Sequence, residues 1–345
     1  MNLTPYLEDI ESRIDPDYEE TLLTEWKNFA DGKAKSGPFT PPTRRTEKSK
    51  IEWKHVNIND AIEDIELMKL AQLEQIHYQM ENSRGGLLWL RPNYGAGNIP
   101  LLCGAARFIM PRKTDTAPNV KSLGGVDEIR RFLDAPTPPI YCDKSRHLFE
   151  FGEWFAEVCE KYPKIGKYVR IDHPDGQGPI DLAELLFGSE MFYAMYDEPE
   201  LMHSLLKRTT EMYISFMTAW FDAFPNPDGY FSYFGSMGRG RFVIRADSAM
   251  NLSPDMYGEF VLPYDNKVFS ALGAGGFHYC GKGDHFISQM ASTVNLTTID
   301  MTQPELNDME IILSATVDKD INLFCPNRNL TTAGHKAQHL TFTGF

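Results

Sequence analysis

The chain has 345 residues, of which 42 % are hydrophobic, 24 % charged and 12 % aromatic, proportions that exclude global disorder, collagen and coiled coil. Its 34 basic and 48 acidic residues leave a net charge of −14, and without a local basic patch that balance excludes nucleic acid and anionic membrane surfaces as expected partners. Length alone permits two ordinary domains or one large α/β barrel.

Cys103, Cys142, Cys159, Cys280 and Cys325 are odd in number and follow no framework spacing, which suits reduced thiols and a cytoplasmic protein. The first ten residues carry neither a basic nor an apolar leader region, and no run of about 18 apolar residues occurs, so a soluble, unexported chain is expected. Residues 15–31 read as a short helix closed by Gly32. Residues 37–46, with Pro38, Pro41, Pro42, Arg44 and Arg45, suit an extended arm. The expected division is therefore 1–48 as an N-terminal helix and arm, and 49–345 as one barrel domain.

From there strands and helices alternate. Residues 51–58 can form a strand, and Asp60 with Glu63 is a capping-box pattern before Ile62, Ile65, Met68, Leu73, Ile76 and Met80 at helical spacing. A strand over 87–91, a helix over 125–133, a proline-rich connection over 134–139 and a helix over 149–162 follow. After a strand at 169–172, the acidic start at 197–200 opens a long helix with Leu201, Leu205, Thr209, Met212, Phe216 and Trp220 on one face. Strands are expected at 230–234 and 242–246. Ser253 and Pro254 cap a helix reaching 272, then come a strand at 276–280, a helix at 284–294, and strands at 296–300 and 321–325 with a helix between them.

This alternation implies parallel pairing, in a (β/α)8 barrel or an open doubly wound sheet. Gly235–Gly240 is the nearest approach to a phosphate loop, but it joins two short strands and no helix follows, so no nucleotide is expected and the barrel is preferred. Reacting groups of a barrel lie at the C-terminal ends of its strands. Those ends here supply Trp53 and His55; Arg91, Asn93 and Tyr94; Asp172, His173 and Gln177; Tyr233 and Asp247; His278 and Cys280; Asp300; and Cys325 and Asn327. For any one of them, a hydrogen-bonded residue at a loop start is an equally good reading.

His278 and Cys280 are the sharpest pair, because residues i and i+2 of a strand share a face. One imidazole nitrogen and one thiolate suit zinc, but a catalytic zinc site needs about three protein ligands and an open position. Cys325, at another strand end, could complete a His/Cys/Cys set; the competing reading is a small buried apolar residue. His335 and His339 are spaced i, i+4 and read as solvated, while Cys103, Cys142 and Cys159 read as structural.

Four motifs carry a family resemblance: His278-Tyr279-Cys280-Gly281, the run from Asp175-Gly176-Gln177-Gly178 to Pro179-Ile180-Asp181-Leu182-Ala183, the helix start Tyr196-Asp197-Glu198-Pro199-Glu200, and Leu252-Ser253-Pro254 leading to Leu262-Pro263-Tyr264. Together, over roughly residues 53–327, the chain resembles the uroporphyrinogen decarboxylase superfamily. The resemblance implies a distorted TIM-type (β/α)8 barrel. The superfamily includes the porphyrinogen decarboxylases and the zinc-dependent methylcobamide:coenzyme M methyltransferases. The decarboxylases' paired-arginine clamp in the loop of strand 1 is missing from Ile51-Glu52-Trp53-Lys54-His55, whereas His278 and Cys280 match the His-x-Cys strand of the methyltransferases.

The methyltransferase resemblance implies that zinc held by His278, Cys280 and a further cysteine activates a substrate thiol for methyl transfer from a methylated corrinoid protein. Cys325 is the candidate for that cysteine, although its strand corresponds to the one before the last. Asp247, Asp172, Tyr233 and Arg91 are expected to line the mouth as catalytic or substrate-contacting groups. With 20 residues after Cys325, the barrel is expected to be incomplete at its C-terminal strand and helix and to close with an irregular tail. The alternatives are a decarboxylase of a tetrapyrrole using Lys54, Arg91 or Arg245, and a non-catalytic barrel acting as a binding subunit. A homodimer is compatible with each.

Overall fold

The structure is a computed structural model that describes residues 1–82, 85–226 and 228–343. Its strands in chain order are β1 (Leu88–Leu90), β2 (Ala106–Phe108), β3 (Asn119–Lys121), β4 (Val169–Ile171), β5 (Tyr230–Tyr233), β6 (Ser236–Arg239), β7 (Phe242–Arg245), β8 (Gly275–Tyr279), β9 (Leu296–Met301), β10 (Asn322–Cys325) and β11 (Leu340–Phe342). β7 to β11 form one parallel sheet in sequence order, and β1 pairs with β4, also in parallel. The two parts are joined where Gln177 bridges to Arg245 and the Gly178 N–H donates to the Arg245 carbonyl at 2.9 Å. At the far edge the Phe39 N–H donates to the Leu340 carbonyl at 2.7 Å. Helices cover the outer face, the longest being Pro199–Ala223, which buries Leu201, Leu205, Met212, Phe216 and Trp220. This is the α/β, TIM-type arrangement that the alternation implies.

Register decides what each strand shows to the inside. His278 lies opposite Asp300, and Asp300 opposite Phe324, so these three share a face. Val243, Phe324, Phe231, Tyr233 and Met237 form an inner cluster with Leu22, Trp26, Phe29 and Phe39. Alternate residues Ile244, Phe277, Tyr279, Ile299, Leu323 and Cys325 belong instead to the large outer core beneath the helices. The antiparallel hairpin β5–β6 packs against the inner face. A Cβ at Gly238 would lie 2.7 Å from Thr298 Oγ1 and 2.2 Å from the Phe231 ring, an approach only glycine allows.

The N-terminal residues belong to this core. Helix Pro16–Ala30 is capped by the Asp15 carboxylate, which accepts from the Asp17 and Tyr18 N–H groups, and Pro16 suits its first turn. The Trp26 indole donates to the Gly85 carbonyl at 3.0 Å, and Asn322 Nδ2 donates to the Ala30 carbonyl at the helix end at 3.1 Å. The arm is pinned by Arg44, which donates to both carboxylate oxygens of buried Glu19 at 2.9 Å. A further helix, Thr4–Arg13, precedes these elements and has no counterpart in the sequence reading.

Four local expectations need correction. Residues 51–57 form no strand, and Trp53 instead stacks on His77 with an interplanar angle of 5°. The helix expected up to 272 divides into Pro254–Phe260 and Leu262–Leu272, since Pro263 has no N–H to continue the ladder and suits a new first turn. The helix expected at 284–294 contracts to Ile287–Met290. The tail expected to be irregular forms β11, parallel to β10; Gly344 and Phe345 lie outside the described residues.

Candidate metal centre

All five residues of β8 are buried, and Cys280 follows directly after the strand. His278 Nδ1 lies 2.6 Å from Asp300 Oδ2. A carboxylate only accepts, so Nδ1 is the donor and Nε2 is left to face the other way. There it stands 3.4 Å from Cys280 Sγ and 3.8 Å from Asp247 Oδ1. Ligand atoms of Asp247, His278 and Cys280 all lie within 4.8 Å of one another, a group of metal-ligand type among the described residues. A tetrahedral ion with sulfur at about 2.3 Å and nitrogen at about 2.0 Å sets those two atoms about 3.5 Å apart, close to the separation found. The donor set of one imidazole, one thiol and one carboxylate therefore fits zinc, with a fourth position for another ligand.

The carboxylate is positioned by its neighbours. Asp247 Oδ1 accepts the Cys280 N–H at 2.7 Å, fixing the turn that carries the thiol. Behind it, Asp181 of helix Pro179–Phe187 accepts the Asp247 and Ser248 N–H groups at 3.0 and 2.8 Å. Burial, reinforced by the charge of Asp247, pushes the Asp181 carboxyl up to about 7. The Gly281 N–H donates to Gln303 Oε1, and Asn307 Nδ2 to the Gly281 carbonyl, holding the loop beyond Cys280. For His278, burial opposes charge, but hydrogen bonds with Asp300 and Cys280 and the nearby Asp247 carboxylate outweigh it and raise the ring to about 10. A metal there would replace that proton.

Cys325 is not brought to this group. It stands one residue beyond Phe324, the residue in line with Asp300 and His278, so alternation turns it to the outer face. It is fully buried in the outer core, and burial raises its thiol pKa.

His278 and Asp300 border a cavity of about 740 Å³ also lined by Trp89, Arg91, Tyr233, Phe234 and Arg245. Arg91 and Arg245 converge on Asp175 at 3.5 and 3.4 Å. Burial works against the Asp175 charge, yet the two guanidiniums and Gln177 hold its carboxyl below the usual range. The Tyr233 hydroxyl is buried without a hydrogen-bond partner among the described residues, its ring 5.5 Å from that of His278. Asp172 lies outside this cavity's lining. It is buried, receives the Ser232 hydroxyl, and is pushed by burial to about 7. Beside it His173 is neutral, its Nδ1 donating to the Pro174 carbonyl and its Nε2 accepting the Val243 N–H, with burial lowering it to about 4.

The remaining candidates are dispersed. His55 is exposed between Glu74 and Asp115, Lys54 is exposed, and Tyr94 packs on His147. His335 is half-buried against Asp318, and His339 is buried against Asn322 rather than solvated. Sequence reasoning misses the supporting residues Asp181, Gln303 and Asn307; the first sits inside the Gly178-Pro179-Ile180-Asp181 motif, whose residue types mark the family without showing that role.

Comparison with known proteins agrees with this architecture. Residues 176–316 match the family model described as uroporphyrinogen decarboxylase (URO-D), a stretch that includes Asp181, Asp247, His278, Cys280 and Asp300. Over those residues the resemblance to that superfamily, read from the motifs, is borne out. By structure the chain is similar to a methyltransferase from Methanosarcina mazei, with a TM-score of 0.59 and 16 % identity over 93 % of this chain and 92 % of that one; at that identity the likeness concerns the fold. No curated protein matches by sequence.

Proposed function

We propose that the protein is a methyltransferase of the thiol-activating kind, in which Asp247, His278 and Cys280 hold one zinc ion beside the mouth cavity. The observation that carries the reading is the convergence of three different ligand atoms within 4.8 Å on a histidine whose other nitrogen is held by Asp300. The match to the uroporphyrinogen decarboxylase family and the likeness to a methyltransferase fold support it. Bound zinc would lower the pKa of a thiol at its open position, making the thiolate available at neutral pH.

In this reading the methyl donor is a methylated corrinoid protein. The thiolate sulfur forms a bond to the methyl carbon, while the electron pair of the carbon–cobalt bond stays with the corrinoid. Tyr233 offers a buried hydroxyl beside the His278 ring, and the wall bearing Arg91 and Arg245 limits the substrate's approach. The decarboxylase alternative draws less support, because both arginines share the buried Asp175 carboxylate and Lys54 is exposed. The test is methyl transfer from free methylcobalamin to a panel of small thiols, followed by loss of the methyl–cobalt absorbance. Zinc-loaded protein should accelerate transfer to at least one thiol and Cys280→Ala should not; equal rates with and without the wild-type protein would overturn the proposal.

A further inference from the structure

A second cavity, of about 450 Å³, opens on the side of the molecule between helices Arg146–Lys161 and Pro199–Ala223 and the strands β4 and β5. It borders none of Asp247, His278 and Cys280. Its walls are aromatic: Phe155, Trp220 and Phe221 are buried in them, and Phe224 is half-buried with its ring centroid 4.6 Å from that of Trp220. At its floor the Asp172–Ser232 hydrogen bond closes it off from the wall bearing Arg91, Tyr233 and Arg245.

Charge separates this cavity from an ordinary packing gap. Three cations border it. Lys167 is paired with Glu20 at 2.8 Å and Arg170 with Asp228 at 3.0 Å. Arg241 is half-buried, with its guanidinium 4.6 Å from the centre of the Phe221 ring, and its side chain has neither ion pair nor hydrogen bond among the described residues. A half-buried guanidinium presents a planar fork of donors that matches a carboxylate. Apolar walls with one or two placed polar groups are the usual make-up of a small-molecule site, and ring edges and faces at these spacings favour a further ring.

We infer that this side cavity is a binding site for a ring-bearing monocarboxylate, its ring against the half-buried Phe224 and its carboxylate on Arg241. The site is independent of the metal centre, so its occupancy does not depend on the methyltransferase reading.

The experiment is calorimetric titration of the full chain with 2-naphthoate, with 2-naphthol as the uncharged ring and decanoate as the acid without a ring. Wild-type protein should bind naphthoate more tightly than either. Arg241→Gln should weaken naphthoate about tenfold and leave naphthol unchanged, as expected for one charge-assisted contact, while Arg241→Lys should retain most of the affinity. Ala156→Trp, placed on the exposed rim of the same cavity, should abolish binding of both ring compounds with the fold intact by circular dichroism. No naphthoate binding to the wild type, equal affinity in Arg241→Gln, unaltered binding in Ala156→Trp, or tighter binding of decanoate would each overturn the inference; if Arg241→Gln fails to fold, Ala156→Trp and Arg241→Lys decide it.

Discussion

Asp300 determines which nitrogen of the His278 ring is available to a metal. By accepting the hydrogen bond that Nδ1–H donates, it directs Nε2 toward Cys280 and Asp247. Replacing Asp300 by Asn should keep the fold but lower zinc affinity about 10–100-fold, the usual effect of removing such a support; a chelator-competition titration with an unchanged value would show that the ring needs no such orientation. Asp172 permits a pH test. Burial places its folded pKa at about 7, above the ordinary value of 3.8, so the folded state keeps a proton that the unfolded chain has lost. Its contribution to stability is fully present below about 4 and declines as pH rises to about 7, with a slope of at most about 1.4 kcal/mol per unit. Urea midpoints at about pH 5 and about pH 8 should therefore differ less in Asp172→Asn than in the wild type; identical differences would contradict the assignment.

Between elements, the most demanding contact is β6 against the inner face of β8 and β9. Gly238→Ala would bring a methyl group onto the Phe231 ring and Thr298, and overpacking of this kind costs about 1–3 kcal/mol, measurable as a lower urea midpoint at unchanged slope. An unaltered midpoint would mean that the hairpin can move away from the wall. The same contact explains why β6 escaped the sequence reading: Ser236-Met237-Gly238-Arg239 has neither alternation nor β-branched residues, and its place is set by a partner surface far along the chain. The face of β8 was legible because His278 and Cys280 are the polar residues of a strand with period 2. Cys325 was not, since Leu323, Phe324 and Cys325 are all apolar and only the pairing of β10 with β9 tells which way each points. Asp247 was recognised as a strand-end acid, but its approach to Cys280 depends on the Asp181 hydrogen bonds, which join residues 66 and 67 positions apart.

At the scale of the whole molecule, the structure joins two regions that composition separates. Residues 16–30 read correctly as a helix, but nothing in them shows that Trp26 and Phe29 pack with Phe324 and Val243 in the inner core. Removing residues 1–48 should therefore abolish cooperative unfolding of the remainder, and Trp26→Ala should cost about 3–5 kcal/mol; a truncated chain with a native unfolding transition would restore the picture of a separate arm. Among the described residues no helix is long and apolar enough to cross a membrane.

The central claim is that the metal centre is built from Asp247, His278 and Cys280 and leaves Cys325 aside. Zinc titration of the reduced protein, with cobalt substitution to report thiolate ligation by its charge-transfer band, tests it most directly. The account predicts one tight site per chain, lost in His278→Ala and Cys280→Ser, weakened in Asp247→Asn, and unchanged in affinity and spectrum in Cys325→Ser. Absence of a tight site in the wild type, or a site that survives Asp247→Asn and disappears with Cys325→Ser, would contradict it.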